Sequence, residues 1–220
     1  QTGQASPQPA FALAWSGAPA AQLAAARSVA GAHLDGSKRP IKTLDRRQTS
    51  NPRQRIKIGY LTPHFGEHPV GRCIIDVIER HDRARFEIHA YASKDHGGHE
   101  IMRRARSSVE HFRDLDKASE AEIHERIMAD GIEILIDLDG YSQGLPSVIA
   151  RRPAPILVNF LGYAGTSGGL HDYLISDRTT ILAGTEEHYA EKIIWMPECF
   201  LPPPTEGTPV KSIPSRKDEG

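Results

Sequence analysis

From residue 56 onward the chain alternates short apolar runs with segments of helical hydrophobic spacing, and this alternation restricts the fold more than any other feature. Runs at 56–61, 86–91, 132–138 and 156–161 read as strands, with a weaker one at 109–113 and short ones at 173–175 and 193–196. Between them, residues 70–80 place Cys73, Ile74, Val77 and Ile78 on one helical face, and further helices are expected at 99–107, 119–130 and 145–150. Ser119 with Glu122 three residues on is a capping-box pattern, and Asp130 with Gly131 ends that helix. An acidic turn of helix is expected near 186–190. Strand and helix alternating at these lengths build βαβ units, so the expected fold is α/β and Rossmann-like, a parallel sheet with helices on both faces.

The flanks differ. Residues 1–18 show no periodicity and read as a flexible lead-in, residues 18–33 form one alanine-rich helix, and 35–54 carry Pro40, Pro52 and scattered basic residues as a linker. The tail from Pro202 is rich in proline and charge and is expected to be disordered. The division is therefore 1–54 as lead-in, helix and basic linker, 55–200 as the Rossmann-like domain, and 201–220 as the tail.

A net charge of −1 gives no electrostatic reason to bind nucleic acid or an anionic membrane, and no apolar run approaches the roughly twenty residues that span a bilayer. No basic stretch followed by an apolar one follows Gln1, so no signal peptide is expected, and a piece upstream of Gln1 is expected to be missing. The two cysteines, Cys73 and Cys199, lack ligand spacing, are expected in the core and fit a cytoplasmic protein. Eleven histidines raise the question of a metal, but His96 and His99 sit in a glycine-rich turn with no helical partner, and no metal site is expected.

In a parallel sheet, ligands bind at the carboxyl ends of the strands, so the loops leaving the strands carry the candidate chemistry. The run at 156–161 leads into Gly162, Tyr163, Ala164, Gly165, Thr166, Ser167 and Gly168, whose glycine spacing differs from the dinucleotide fingerprint. The first strand leads into His64, Phe65, Gly66, Glu67, His68 and Pro69, where a histidine followed by proline suits a base held in one orientation. A third loop offers Asp139, Gly140, Tyr141 and Ser142, whose carboxyl and hydroxyl groups can hydrogen-bond a sugar or a diphosphate, although a carboxylate facing a diphosphate is repulsive unless protonated or bridged. Asp137 and Asp139, two apart on one strand, lack the opposed geometry of a glycosidase pair.

Three separated motifs, FGEHP, ADGIEIL with DGY, and RRPAP with LGYAGTSG, together resemble the catalytic region of bacterial and animal O-linked N-acetylglucosamine transferases over residues 55–200. The family's LGYPGTSG is matched except that Ala164 replaces the proline. This resemblance implies the first half of a GT-B fold, with a missing C-terminal half that supplies most nucleotide contacts. It implies metal-independent, inverting transfer of N-acetylglucosamine from the nucleotide sugar UDP-GlcNAc to serine or threonine of an acceptor protein or peptide, with no cofactor. His68 takes the place of the family's histidine, assigned as proton acceptor or as a bridge between acceptor and donor, with Pro69, Ser142, Gly162, Tyr163 and Thr166 as substrate contacts. His64, where relatives usually carry Asp or another polar residue, is given no role, and animal relatives have Asn and Thr in place of Asp139 and Ser142, which leaves Ser142 as the better contact of the two. Fixed N–H donors for the developing charge are expected from the 162–168 loop and the adjacent helix start. The isolated chain is expected to be inactive or nearly so, and the alternative is a non-catalytic polypeptide-binding module derived from the same half.

Overall fold

The computed structural model describes residues 17–34, 55–94 and 97–203, together with Pro9. The expected lead-in, the basic linker, His96 and nearly all of the tail lie outside the described residues. Helix α1 (Pro19–His33) comes first, then β1 (Ile56–Thr62), α2 (Pro69–Glu79), β2 (Phe86–Ala92), α3 (Glu100–Ser108) and β3 (His111–Asp114). There follow α4 (Glu120–Asp130), β4 (Ile134–Asp137), α5 (Pro146–Ala150), β5 (Ile156–Asn159), β6 (Tyr173–Ser176), a 3-10 turn at Glu186–His188, and β7 (Lys192–Trp195).

All seven strands pair in parallel, in the order β3-β2-β1-β4-β5-β6-β7. The chain winds outward from β1 through β2 to β3, then returns across β1 to start β4, so the winding reverses between β1 and β4. That reversal opens a crevice at the strands' carboxyl ends, the usual ligand position in such sheets. Strand alternation sends Ile88, Ala90, Ile136 and Val158 to one face, under the Ile74, Ile75, Ile78 and Met102 side chains of α2 and α3. Leu61, Tyr91, Leu135 and Leu157 face the other way, against Ala26 and Ala30 of α1, Ile123 and Ile127 of α4, and Val148 and Ile149 of α5. Helices thus cover both faces, as the apolar runs require.

The expected strands at 132–138 and 156–161 are shorter in the structure. Ile132 and Glu133 lead in, and Leu138, Phe160 and Leu161 already belong to the exit loops. Helix α4 carries the capping box, with Ser119 accepting from the Glu122 amide and the Glu122 side chain accepting from the Ser119 amide. Cys73 is half-buried beside the core, whereas Cys199 is exposed, contrary to the core position expected of it. Helix α1 is more than a lead-in: Ala26 and Ala30 are buried in the second core cluster, and the Tyr141 hydroxyl donates to the Ala26 carbonyl at 3.4 Å.

Candidate active site

The loop leaving β1 is wound tightly. The Gly66 amide donates to the His64 carbonyl and the His68 amide to the Gly66 carbonyl, both at 2.7 Å, which drops Phe65 into the core. A Cβ at Gly71 would lie 2.4 Å from the His64 carbonyl oxygen and 2.6 Å from that of Gly66, so only glycine lets α2 approach this closely. The turn delivers His68 as the N-cap of α2, extended at φ −131°, with Pro69 at the first helical position, where its missing N–H costs nothing. His68 Nδ1 accepts the Val70 amide at 3.3 Å. That bond fixes the tautomer: the proton of the neutral ring sits on Nε2, so His68 offers a hydrogen-bond donor.

Behind His68 lies His64, to which the sequence assigned no role. The two imidazoles stack with centroids 3.6 Å apart and planes 9° off parallel. His64 is buried, and its Nδ1 lies 2.6 Å from Asp139 Oδ1. The other Asp139 oxygen accepts the Thr62 hydroxyl at 2.6 Å, and Thr62 Oγ1 accepts the His64 amide at 2.9 Å. Burial pushes the Asp139 carboxyl up, while the Thr62 and His64 donors pull it back down. This Thr62, His64 and Asp139 bridge joins the ends of β1 and β4 across the point where the winding reverses. It also removes the difficulty of a carboxylate facing a diphosphate, because both Asp139 oxygens are turned inward and occupied.

Asp137 has a separate task. Its Oδ1 accepts the Asp139 and Gly140 amides at 3.0 and 3.1 Å, and its Oδ2 faces His171 Nε2 at 3.2 Å. Ser142 lies exposed at the edge, its hydroxyl donating to the Asp139 carbonyl at 2.7 Å. In the β5 exit loop Leu161 holds φ 78°, a strained setting for a branched side chain, worth about 1–3 kcal/mol. The buried Leu161 side chain and the Gly162 amide, which donates to the Leu138 carbonyl at 2.8 Å, hold it there.

Tyr163 and Thr166 are 5% and 3% exposed. The Tyr163 ring meets Tyr141 edge-on at 5.6 Å. The Thr166 hydroxyl donates to Glu191 at 2.8 Å and accepts from the Gly168 and Ala190 amides, so it has no capacity left for a ligand in this conformation. Glu191, buried and unremarked in the sequence, also accepts the Ser167 amide at 2.8 Å, the Ser167 hydroxyl, and the Gly169 amide at 3.4 Å. The expectation that this loop supplies N–H donors for negative charge therefore fails for Gly162, Ser167 and Gly168: a buried carboxylate and local oxygens already hold those amides. Gly168, at φ 70°, lies against α1, where a Cβ would come 2.4 Å from the Ala26 carbonyl carbon.

The structure thus brings His68, Pro69 and Ser142 to the surface of one edge, with Gly162 half-buried beside them and Tyr163 and Thr166 beneath. This edge is open. A cavity of about 450 Å³ lies elsewhere, at the amino ends of β4 and β5, lined by His124, Met128, Ile132, Arg151 and Pro153.

The family model for glycosyl transferase family 41 matches residues 37–202, which include every loop described above. The chain belongs to that family. Among family 41 relatives, a UDP-N-acetylglucosamine–peptide N-acetylglucosaminyltransferase of Caenorhabditis elegans is 36% identical over 167 residues, 74% of this chain and 14% of that protein. The structure of a lysine-to-methionine mutant of an O-GlcNAc transferase from Thermobaculum terrenum superposes with a TM-score of 0.78 and 32% identity. It covers 89% of this chain, which corresponds to 38% of the bacterial one. The chain therefore spans a minor part of either relative. Among the described residues no helix is long and apolar enough to cross a membrane.

Proposed function

We propose that this chain is the amino-terminal half of a GT-B catalytic core that transfers N-acetylglucosamine from UDP-GlcNAc to serine or threonine hydroxyls of proteins, with inversion at the sugar. The observation that carries this reading is the position of His68: it caps α2 at the reversal between β1 and β4, stacked on a buried histidine that a carboxylate holds in place. A second Rossmann-like half closes over this edge and supplies the nucleotide pocket, so the isolated chain binds substrate poorly and turns over little.

Each residue then has a task in the chemistry. His68 Nε2–H bridges the incoming hydroxyl and the donor, and the ring accepts a proton only if Nδ1 releases the Val70 amide. Ser142 offers its hydroxyl oxygen as an acceptor to a sugar hydroxyl, and donates to a diphosphate only on releasing the Asp139 carbonyl, while Gly162 and Pro69 shape the approach. Transfer needs no metal in this scheme. Asp137 and Asp139 are engaged by internal donors, and the exposed Glu67 beside His68 is paired with Arg72.

The test is incubation of the complete enzyme with UDP-GlcNAc and a Ser/Thr peptide, read by mass spectrometry for one added N-acetylhexosamine and by NMR for its anomeric configuration. A β-linked product supports the reading. Peptide binding without transfer would favour a non-catalytic polypeptide-binding module instead.

A further inference from the structure

Far from that edge, three side chains that could ligate a metal converge on the outer strands. Glu87 and His89 are two apart on β2 and share a face, and the register pairs His89 with His111 at the start of β3. Glu87 Oε1 lies 3.0 Å from His89 Nε2 and 3.4 Å from His111 Nε2, and all three ligand atoms fall within 4.8 Å of one another. Tetrahedral zinc with bonds of about 2.0–2.1 Å to nitrogen and oxygen requires ligand atoms roughly 3.3 Å apart. The two shorter separations already match that edge.

A second observation points the same way. His89 is 2% exposed, and its Nδ1 is a buried atom with no hydrogen-bond partner among the described residues. With Nε2–H donating to Glu87, Nδ1 is left as a lone pair 3.9 Å from the Asp130 carboxylate, an unfavourable arrangement. Asp130 is fixed there by the Tyr91 hydroxyl at 2.9 Å and by Arg113 at 2.8 Å. If an ion takes Nε2, the proton moves to Nδ1 and faces Asp130, giving the carboxylate, histidine and metal alignment that orients imidazole ligands.

We infer that Glu87, His89 and His111 form a binding site for a late first-row divalent ion such as zinc, which would pin β3 to β2. Two imidazoles and one carboxylate favour zinc over magnesium or calcium. The His111 side chain, 42% exposed, gives the ion a way in and leaves a coordination position for water. Arg55 at 3.3 Å and Lys57 at 3.7 Å from Glu87 compete for its charge. Both have other anchors, Arg55 on Glu110 and Lys57 on the Asp130 carbonyl, so they weaken the site without filling it. The site is structural and separate from the metal-free transfer chemistry proposed above.

The test is calorimetric titration of the EDTA-stripped full chain with zinc chloride, with cobalt(II) absorption to report coordination geometry. One ion per chain is expected, with tetrahedral-type cobalt bands and a melting temperature that rises with zinc. His111→Asn, at a half-exposed position that leaves the core intact, should weaken zinc by at least the roughly 10–100-fold that loss of an outer partner alone costs. His99→Asn, outside the cluster, should leave binding unchanged. Absence of saturable binding, or equal affinity in the His111→Asn protein, overturns the inference.

Discussion

Replacing Glu191 with alanine tests whether one buried carboxylate holds the β5 exit loop. Glu191 is 6% exposed and accepts from the Thr166 hydroxyl, the Ser167 amide, the Ser167 hydroxyl and the Gly169 amide. The two hydroxyls can turn their hydrogens elsewhere, and Gly169 is exposed and finds water. The Ser167 amide cannot, because that residue is 1% exposed. Leaving it unpaired costs about 1–3 kcal/mol, and the lost charge-assisted bonds add about 1.5–3 kcal/mol, so Glu191→Ala should lose about 3–5 kcal/mol. Glu191→Gln keeps one acceptor oxygen but turns a donor toward a Thr166 oxygen that already accepts two amides. A loss of about 1–2 kcal/mol is expected there. Urea denaturation at constant slope measures both. A loss below about 1 kcal/mol for Glu191→Ala would show that the loop is held by its packing against α1 and not by this carboxylate.

The remaining predictions concern the sheet and the bridge. Leu135, fully buried in β4 between both helical layers, should cost about 2–5 kcal/mol on truncation to alanine, measured by equilibrium denaturation. A double-mutant cycle of His64→Ala and Asp139→Ala should return a coupling of about 0.5–3 kcal/mol, and a value near zero would mean that the 2.6 Å contact carries no energy.

The fold was legible because its signals are local and agree: apolar runs of strand length, a capping box at Ser119, and a proline after His68 each fix their element without distant help. The seven parallel strands follow from that alternation. The supports of the site were not legible, because each depends on which strands become neighbours. His64 and Asp139 are 75 residues apart and meet only because β4 lies beside β1. Had that order been assumed, a histidine and an aspartate at adjacent strand ends would have suggested a pair. Glu191 lies 25 residues beyond Thr166, before a short strand, and nothing in its neighbourhood marks it as buried. The glycine loop misled for a related reason: its composition indicates tight turns but not whether the amides face a ligand or a carboxylate. Glu87, His89 and His111 were overlooked because strand spacing and cross-strand pairing, unlike helical i,i+4 spacing, bring ligands together only once the register is known.

The most direct test of the account is steady-state sugar transfer by the complete enzyme carrying His68→Ala or His68→Asn. Asparagine retains an acceptor for the Val70 amide at the N-cap, so it separates loss of the cap from loss of the imidazole. Both variants should fold, by circular dichroism and thermal melting, and both should lose most of kcat/KM. If the ring takes the acceptor proton, kcat falls by about 10²–10⁴-fold. If it only bridges substrates through Nε2–H, the loss is smaller and lies mainly in KM. Wild-type kcat and KM in a folded His68→Asn enzyme would contradict both roles assigned to His68, and the acceptor proton would then have to leave through solvent or the donor phosphate.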